Sequence, residues 1–164
     1  MEAIKPRATG SATPDYHTNQ GTLKIFSKTI TVETIERIDL INLTGDIRAL
    51  VESTSVEDGY VQVSSLHTTA GLLMNEWQDA LLVDMKAMLE QMVPRDTYYK
   101  HNDPEFSDCD RSNADSHLRN VVLGHSLSVP ISEGNLVLGQ WQSVILAEFD
   151  GPNRRKVFLQ VFGV

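Results

Sequence analysis

Three histidines are the residues of this chain that are best suited to chemistry: His67, His101 and His117. Histidine is the commonest protein ligand for zinc-like metals and the usual proton carrier near neutral pH. Three imidazoles with one open coordination position are a familiar catalytic zinc arrangement, because the free position takes water or substrate. The spacing is not a compact metal motif, so a second interpretation stays open: each histidine is a polar surface or capping residue.

Acidic residues near these histidines could carry protons. Glu76 follows His67 in the chain and has no evident helix-capping role, which makes it a candidate general acid or base. Glu148 is the one acid in an otherwise apolar predicted strand. Simple alternation would place its side chain on the solvent face, and a catalytic role is an equally supported interpretation. For Asp79 and Asp115 we expect roles at helix starts, Asp79 as an N-cap and Asp115 at the positive end of its helix.

The composition is typical of a single globular domain of 164 residues with 41% hydrophobic and 22% charged residues. A formal net charge of -8 argues against general nucleic-acid binding, which needs clustered basic residues. The only basic cluster, at Arg154, Arg155 and Lys156, is short, and we interpret it as a solvated turn.

Other sequence features address compartment and membrane contact. Cys109 is the only cysteine, so an intrachain disulfide is excluded, and the chain suits a reducing compartment. No segment approaches the roughly 20 apolar residues of a membrane span, and no apolar signal segment opens the chain. We therefore expect a cytoplasmic protein with no membrane partner.

Hydrophobic periodicity predicts an α+β fold: a single domain with a largely antiparallel β-sheet or sandwich and two to three helices packed on it. Residues 1–21 are poor in large apolar residues and predict a flexible tail, with the domain covering 22–164. The predicted strands are 22–32, 36–43, 60–66, 125–131, 136–138, 141–149 and 156–164, and the predicted helices begin near 44, 79 and 112.

Two helices show apolar stripes that should face the core. In the helix at 79–92 the stripe consists of Leu81, Met85, Met88 and Met92, which we interpret as core filling rather than as a ligand surface. In the helix after Ser112 the stripe consists of Ala114, Leu118, Val121 and Val122. The segment 95–111 between them has no period, and long ordered loops of this kind are often functional.

An ordered series of motifs resembles the YjbQ family, whose members are also called secondary thiamine-phosphate synthase enzymes. The resemblance covers roughly residues 22–164. The matching segments are His-Thr-Thr-Ala-Gly-Leu-Leu-Met-Asn-Glu at 67–76, Asp84, Tyr-Lys-His at 99–101, Asn-Ala-Asp-Ser-His-Leu at 113–118, Gly-His-Ser-Leu-Ser-Val-Pro at 124–130, Leu-Gly-Gln-Trp-Gln at 138–142 and Glu-Phe-Asp-Gly-Pro at 148–152.

This resemblance implies a compact α+β domain that assembles as a homotrimer. It further implies a divalent-metal site, with zinc as the expected ion, on His67, His101 and His117. Glu76 and Glu148 are then the expected proton-transfer residues, and the expected substrate contacts are Asn75, Asn113, Trp141 and Gln142. The expected function is a metal-dependent enzyme acting on a small metabolite, with thiamine-phosphate synthesis as the implied reaction. The alternative is a trimeric module that binds a metal or small ligand without catalysis.

Overall fold

The computed structural model describes residues 18–164, so most of the predicted tail at 1–21 lies outside the described residues. Within that range the chain forms eight strands, three α-helices and one short 3-10 helix at Lys100–Asn102. In chain order the elements are β1 (Lys24–Glu33), β2 (Asp39–Asn42), α1 (Thr44–Glu52), β3 (Gly59–Ser65), β4 (Ala70–Asn75), α2 (Asp79–Met92), α3 (Ala114–Leu123), β5 (Ser126–Ser132), β6 (Asn135–Leu136), β7 (Ser143–Glu148) and β8 (Arg154–Gly163).

The strands form two antiparallel sheets. The five-stranded sheet has the order β1-β8-β3-β5-β6, and the three-stranded sheet has the order β2-β7-β4. Every strand pairing within both sheets is antiparallel. The predicted α+β class, with three helices on antiparallel sheets in one domain, is confirmed.

Strand β7 is the centre of the packing because it is buried on both faces. Val144 and Leu146 face the larger core, which fills the space between the two sheets and beneath α1. Ile145 and Ala147 face a second core, where α2 covers the opposite side of the small sheet. A strand buried on both sides has a continuous apolar sequence instead of an alternating one, as β7 has.

Strand β4 was not predicted, and its sequence explains why. Its apolar residues run without alternation through Gly71, so no strand period is visible. A Cβ at Gly71 would lie 2.8 Å from Asn120 Oδ1 on α3, so glycine permits this close approach of helix and strand. The predicted strand at 141–149 was too long at its start, since β7 begins at Ser143 and Trp141 lies in the preceding turn.

Helix α2 has the predicted bounds, but only part of its stripe lies in the core. Met85 is buried together with Leu89, as expected, whereas Met88 and Met92 are about half exposed. The expectation that all these methionines fill the core is therefore wrong. Its N-cap also differs from the prediction, because Gln78 rather than Asp79 accepts the backbone N–H of Leu81.

Helix α3 packs in a different orientation from the one predicted, and of its apolar stripe only Ala114 is buried. Its buried residues are Ala114, Asp115, Ser116 and Arg119, while Leu118, Val121 and Val122 are exposed. Arg119 is 1% exposed, and it donates to Asp115 and to the carbonyl oxygens of Leu89 and Val93 at the end of α2. Hydrogen bonds that α3 makes to α2 thus outweigh the apolar stripe in orienting the helix.

No helix within residues 18–164 has both the length and the apolar composition that crossing a bilayer demands.

The polarity of α3 predicts a large difference between two substitutions on it. Arg119→Met should lower the free energy of unfolding by about 3–5 kcal/mol, because two buried carbonyl groups lose their donor and the buried Asp115 keeps only Arg37 as a cationic partner. Val121→Ala should lower it much less than Arg119→Met, because Val121 is 79% exposed in the single chain. Urea denaturation followed by circular dichroism measures both; a larger loss for Val121→Ala than for Arg119→Met would contradict the observed orientation.

Candidate functional site

Two of the three predicted histidines, His101 and His117, lie side by side in one cavity. Their ring centroids are 5.1 Å apart and the rings are perpendicular. The cavity has a volume of about 410 Å³ and is lined by these histidines together with Tyr99, Lys100, Ala114 and Leu118. Its walls come from the segment after α2 and from the first turns of α3, and within residues 18–164 no acidic side chain lines it.

A hydrogen bond at the start of α3 brings the two histidines together. Asn102, next to His101 in the 3-10 helix, accepts the backbone N–H of Ala114 through its side-chain oxygen at 3.0 Å. This N–H has no partner within α3, so the loop satisfies one of the free donors of the helix start. Because His117 lies one turn further along α3, the same contact fixes its position relative to His101.

Beneath the histidine pair lies a buried network of charges. Asp150 accepts from Arg37 and Asn113, and Asp115 accepts from Arg37 and Arg119. The side chain of Asp115 is completely buried and that of Asp150 nearly so. Two buried carboxylates side by side repel each other, and the guanidinium of Arg37 between them offsets that repulsion.

Burial lowers the pKa of His117 below its ordinary value of 6.5, and the neighbouring His101 lowers it further, against the raising effect of Asp150 and Asp115. His117 is therefore neutral at pH 7 and keeps a nitrogen lone pair. A neutral imidazole beside a second one is the donor set that zinc-like ions prefer. The pair therefore fits two ligands of a metal ion.

His67 lines a different cavity, with Ser65, Thr68, Asn120 and His125. Its Nε2 accepts the backbone N–H of Lys156 at 2.7 Å, so the ring proton is assigned to Nδ1 and the lone pair is already engaged. Burial and the charge of Arg155 lower its pKa. Among residues 18–164 of one chain, no three His, Cys, Asp or Glu side chains are grouped closely enough to hold a metal ion.

Glu148 has a structural role, because it forms a buried ion pair that links β7 to β8. It is 0% exposed and forms a two-pronged ion pair with Arg155 on β8. It also accepts from Thr34 and from the backbone N–H groups of Phe149 and Asp150. The sequence offered a solvent-facing strand position or a catalytic one, and the structure shows a buried ion pair between the sheets.

The remaining predicted site residues are dispersed. Glu76 is partly buried after β4 and does not line the histidine cavity, and Asn75 borders a separate cavity beside α2. Asn113 is buried at the start of α3 and donates to Asp150 at 2.8 Å. Trp141 is 65% exposed in the turn before β7, where Gln142 accepts the backbone N–H of Gly139. The catalytic and substrate-binding roles of these residues stay predictions.

The sequence interpretation missed the residues that support the histidine pair. Arg37 gave no local signal: it falls within the predicted strand 36–43, but the structure has it in the loop before β2. Asp150 stands in the sequence analysis only as a member of the motif at 148–152, without a role. Arg155 was assigned to a solvated basic turn, which is wrong, since it is 6% exposed; its neighbour Arg154 is exposed as expected. An arginine within an otherwise apolar alternation, as on β8, was the available signal of a buried ion pair.

Comparison with known proteins gives a consistent family. The family described as "UPF0047 protein YjbQ-like" matches residues 28–164. A UPF0047 protein of Methanothermobacter thermautotrophicus is 38% identical over 141 residues, which are 86% of this chain and 94% of that protein. The UPF0047 protein YugU of Bacillus subtilis is 29% identical over 137 residues, 83% of this chain and 98% of that one.

Solved structures show the same fold. A YbjQ-like protein of unknown function from Sulfolobus solfataricus superposes with a TM-score of 0.81 at 28% identity, over 87% of this chain and 100% of that chain. A hypothetical protein from Aeropyrum pernix gives a TM-score of 0.78 at 29% identity, over 85% and 99% of the two chains. With its sequence matched from residue 28 to the end and its fold shared, this chain belongs to the YjbQ-like UPF0047 family.

Proposed function

We propose that this protein is a metal-dependent enzyme acting on a small metabolite, and that His101 and His117 hold its metal ion. The observation that carries the proposal is the pair of perpendicular imidazoles, 5.1 Å apart, in a cavity of about 410 Å³. A cavity of this size suits a small organic molecule. A zinc-like ion there would supply Lewis-acid chemistry by polarising an oxygen atom of the substrate.

We further propose that the protein is a trimer and that a neighbouring copy of the chain lies next to the histidine cavity. Support comes from α3, where Leu118, Val121 and Val122 form an exposed apolar face. Leu118 lines the cavity next to His117, so a copy packed on this face would also reach the metal site. His67 lies in another cavity of the same chain. In such an arrangement it would act as a metal ligand for a neighbouring copy.

The reaction we propose joins a pyrimidine diphosphate to a thiazole phosphate, as in secondary thiamine-phosphate synthases. The thiazole nitrogen bonds to the pyrimidine's methylene carbon while the bond from that carbon to the diphosphate oxygen breaks, and pyrophosphate leaves. Lys100 lines the cavity and is the basic group available there for a phosphate. Arg119, also close in sequence to His117, is buried and paired with Asp115, so it is not available. We also propose a cytoplasmic location, since the single cysteine suits a reducing compartment.

One observation favours a second candidate function, a metal- or ligand-binding module without catalysis. Neither proposed proton carrier lines the histidine cavity, because Glu148 is enclosed by its ion pair and Glu76 lies after β4. In a binding module the imidazoles would hold the ion and the cavity would hold a ligand, with no group required to move a proton. Turnover distinguishes the two functions.

Metal content tests the histidine pair directly. We expect untagged wild-type protein, equilibrated with zinc and dialysed, to retain the ion, and His117→Ala to lose it, because an imidazole lone pair is removed. Gln91→Ala is the control, since Gln91 is exposed on α2 and lines neither the cavity of His101 and His117 nor that of His67. Inductively coupled plasma mass spectrometry measures the ratio of metal to chain; full stoichiometry in His117→Ala would rule out this ligand.

Charge placed on the apolar face of α3 tests the trimer. Val121→Glu should shift the sedimentation coefficient toward that of a monomer and lower the metal content, while the far-ultraviolet circular dichroism stays unchanged. Val83→Glu, at another exposed apolar position on α2, serves as control and should leave the assembly intact. A Val121→Glu variant that sediments like wild type would remove α3 from the interface.

Product formation tests catalysis. We expect zinc-loaded protein to convert the pyrimidine diphosphate and thiazole phosphate to thiamine phosphate, and EDTA-treated protein or His101→Ala to lose this conversion. Lys100→Met should raise the KM for the phosphorylated substrates by about tenfold, because a charged hydrogen bond is lost. Chromatography of the reaction mixture measures the product. Metal binding without turnover on these substrates or a wider metabolite panel would favour the binding module.

A further inference from the structure

A second cavity, separate from the histidine pair, lies between β4 and α2. Its volume is about 480 Å³, within the range of small-molecule pockets. The walls are mainly apolar, with Leu73 and Met74 from β4, Met85 and Met88 from α2, and Leu123 from the end of α3. None of the residues that line the histidine cavity borders it.

The geometry of α2 explains why this cavity exists. Leu81, Met85 and Met88 follow one another at spacings of four and three residues, so they share one face of the helix. Met85 is buried beneath that face, whereas Met88 is about half exposed at the edge. Methionine side chains are flexible and polarisable, and they adapt to apolar ligands of different shapes. The stripe thus continues past the core and forms one wall of the cavity.

The charge at the cavity has a single sign. Asp84 lies on the same face of α2 and borders the cavity, and among residues 18–164 no hydrogen bond or ion pair engages its carboxylate. Of the residues that the structure describes, no Lys, Arg or His lines this cavity. Asn75 lies at the same border, and its amide nitrogen has only the sulfur of Met85 as a partner, at 3.7 Å. An apolar space with one free carboxylate is complementary to a cation that carries an apolar body.

We propose that the cavity between β4 and α2 binds a small organic cation with an apolar body, such as an alkylammonium or heteroaromatic cation. The apolar body packs against the leucines and methionines, and the cationic group pairs with Asp84 at the border. A carboxylate or phosphate ligand is disfavoured there, because the anion would face Asp84 and none of the described lining residues is basic.

Three probes of equal length and different charge test the proposal: n-hexylammonium, 1-hexanol and hexanoate. Each probe that binds in the cavity should shift the 13C-methyl resonances of Met85 and Met88 in the full chain, and titration of these shifts measures its affinity. Hexylammonium should bind about fivefold more tightly than hexanol, as one partly exposed ion pair provides, and hexanoate should bind more weakly than hexanol. Asp84→Asn should lower the affinity for hexylammonium to that for hexanol and leave hexanol binding unchanged.

Two further variants separate this binding from general attraction of cations to a chain of net charge -8. Glu90→Gln removes an acid from the same helix at a different cavity, and it should leave all three affinities unchanged. Met88→Trp narrows the cavity and should weaken hexylammonium and hexanol alike. Equal binding of the three probes, or hexylammonium binding that is insensitive to Asp84→Asn, would overturn the proposal.

Absence of any probe binding would also overturn it. In that case sedimentation of Met88→Glu identifies what covers the cavity, because dissociation of the assembly would show that the cavity is a contact between copies of the chain.

Discussion

The fold depends on a buried ion pair that joins its two sheets. Glu148 ends β7 of the small sheet, Arg155 follows the start of β8 in the large sheet, and both side chains point into the space between them. Such a pair is tolerated in an apolar interior only if its remaining hydrogen-bonding capacity is satisfied. Thr34, Thr69 and two backbone N–H groups satisfy it here, so four separate segments are fixed around one pair of charges.

That constraint extends to the histidine cavity through the residues that follow Glu148. Asp150 is held by Arg37, Arg111 and Asn113, and the carbonyl oxygen of Phe149 accepts from Ser116 at 2.6 Å. These contacts bind the start of α3 to the end of the small sheet. These contacts engage the polar face of α3 in hydrogen bonds. Its apolar face, beside His117, is therefore exposed. The position of the histidines and the exposure of the apolar face therefore have one cause.

Much of the fold could be predicted from local pattern. The bounds of α2 follow from its period and from Pro94, and β8 follows from its alternation of apolar and polar residues. β4 could not be predicted, because its continuous apolar run through Gly71 shows neither the period of an α-helix nor the alternation of a half-buried strand. For the site, the three histidines were found by residue type, whereas their grouping was not: spacing along the chain gives no reason why His101 meets His117 and His67 does not.

By itself the sequence determined the fold class, most element bounds and the family, because periodicity and the order of motifs are properties of neighbouring residues. Only the tertiary structure decided which charges pair. Arg37 pairs with Asp115 across 78 positions of the chain. Arg155 pairs with Glu148 in the core, where the sequence left a solvent-facing and a catalytic position equally open. The physical reason is that burying a charge is unfavourable unless a side chain of opposite charge is buried beside it. Here that side chain belongs to a distant segment of the chain. The orientation of α3, and with it the surroundings of His117, follows from such distant pairs.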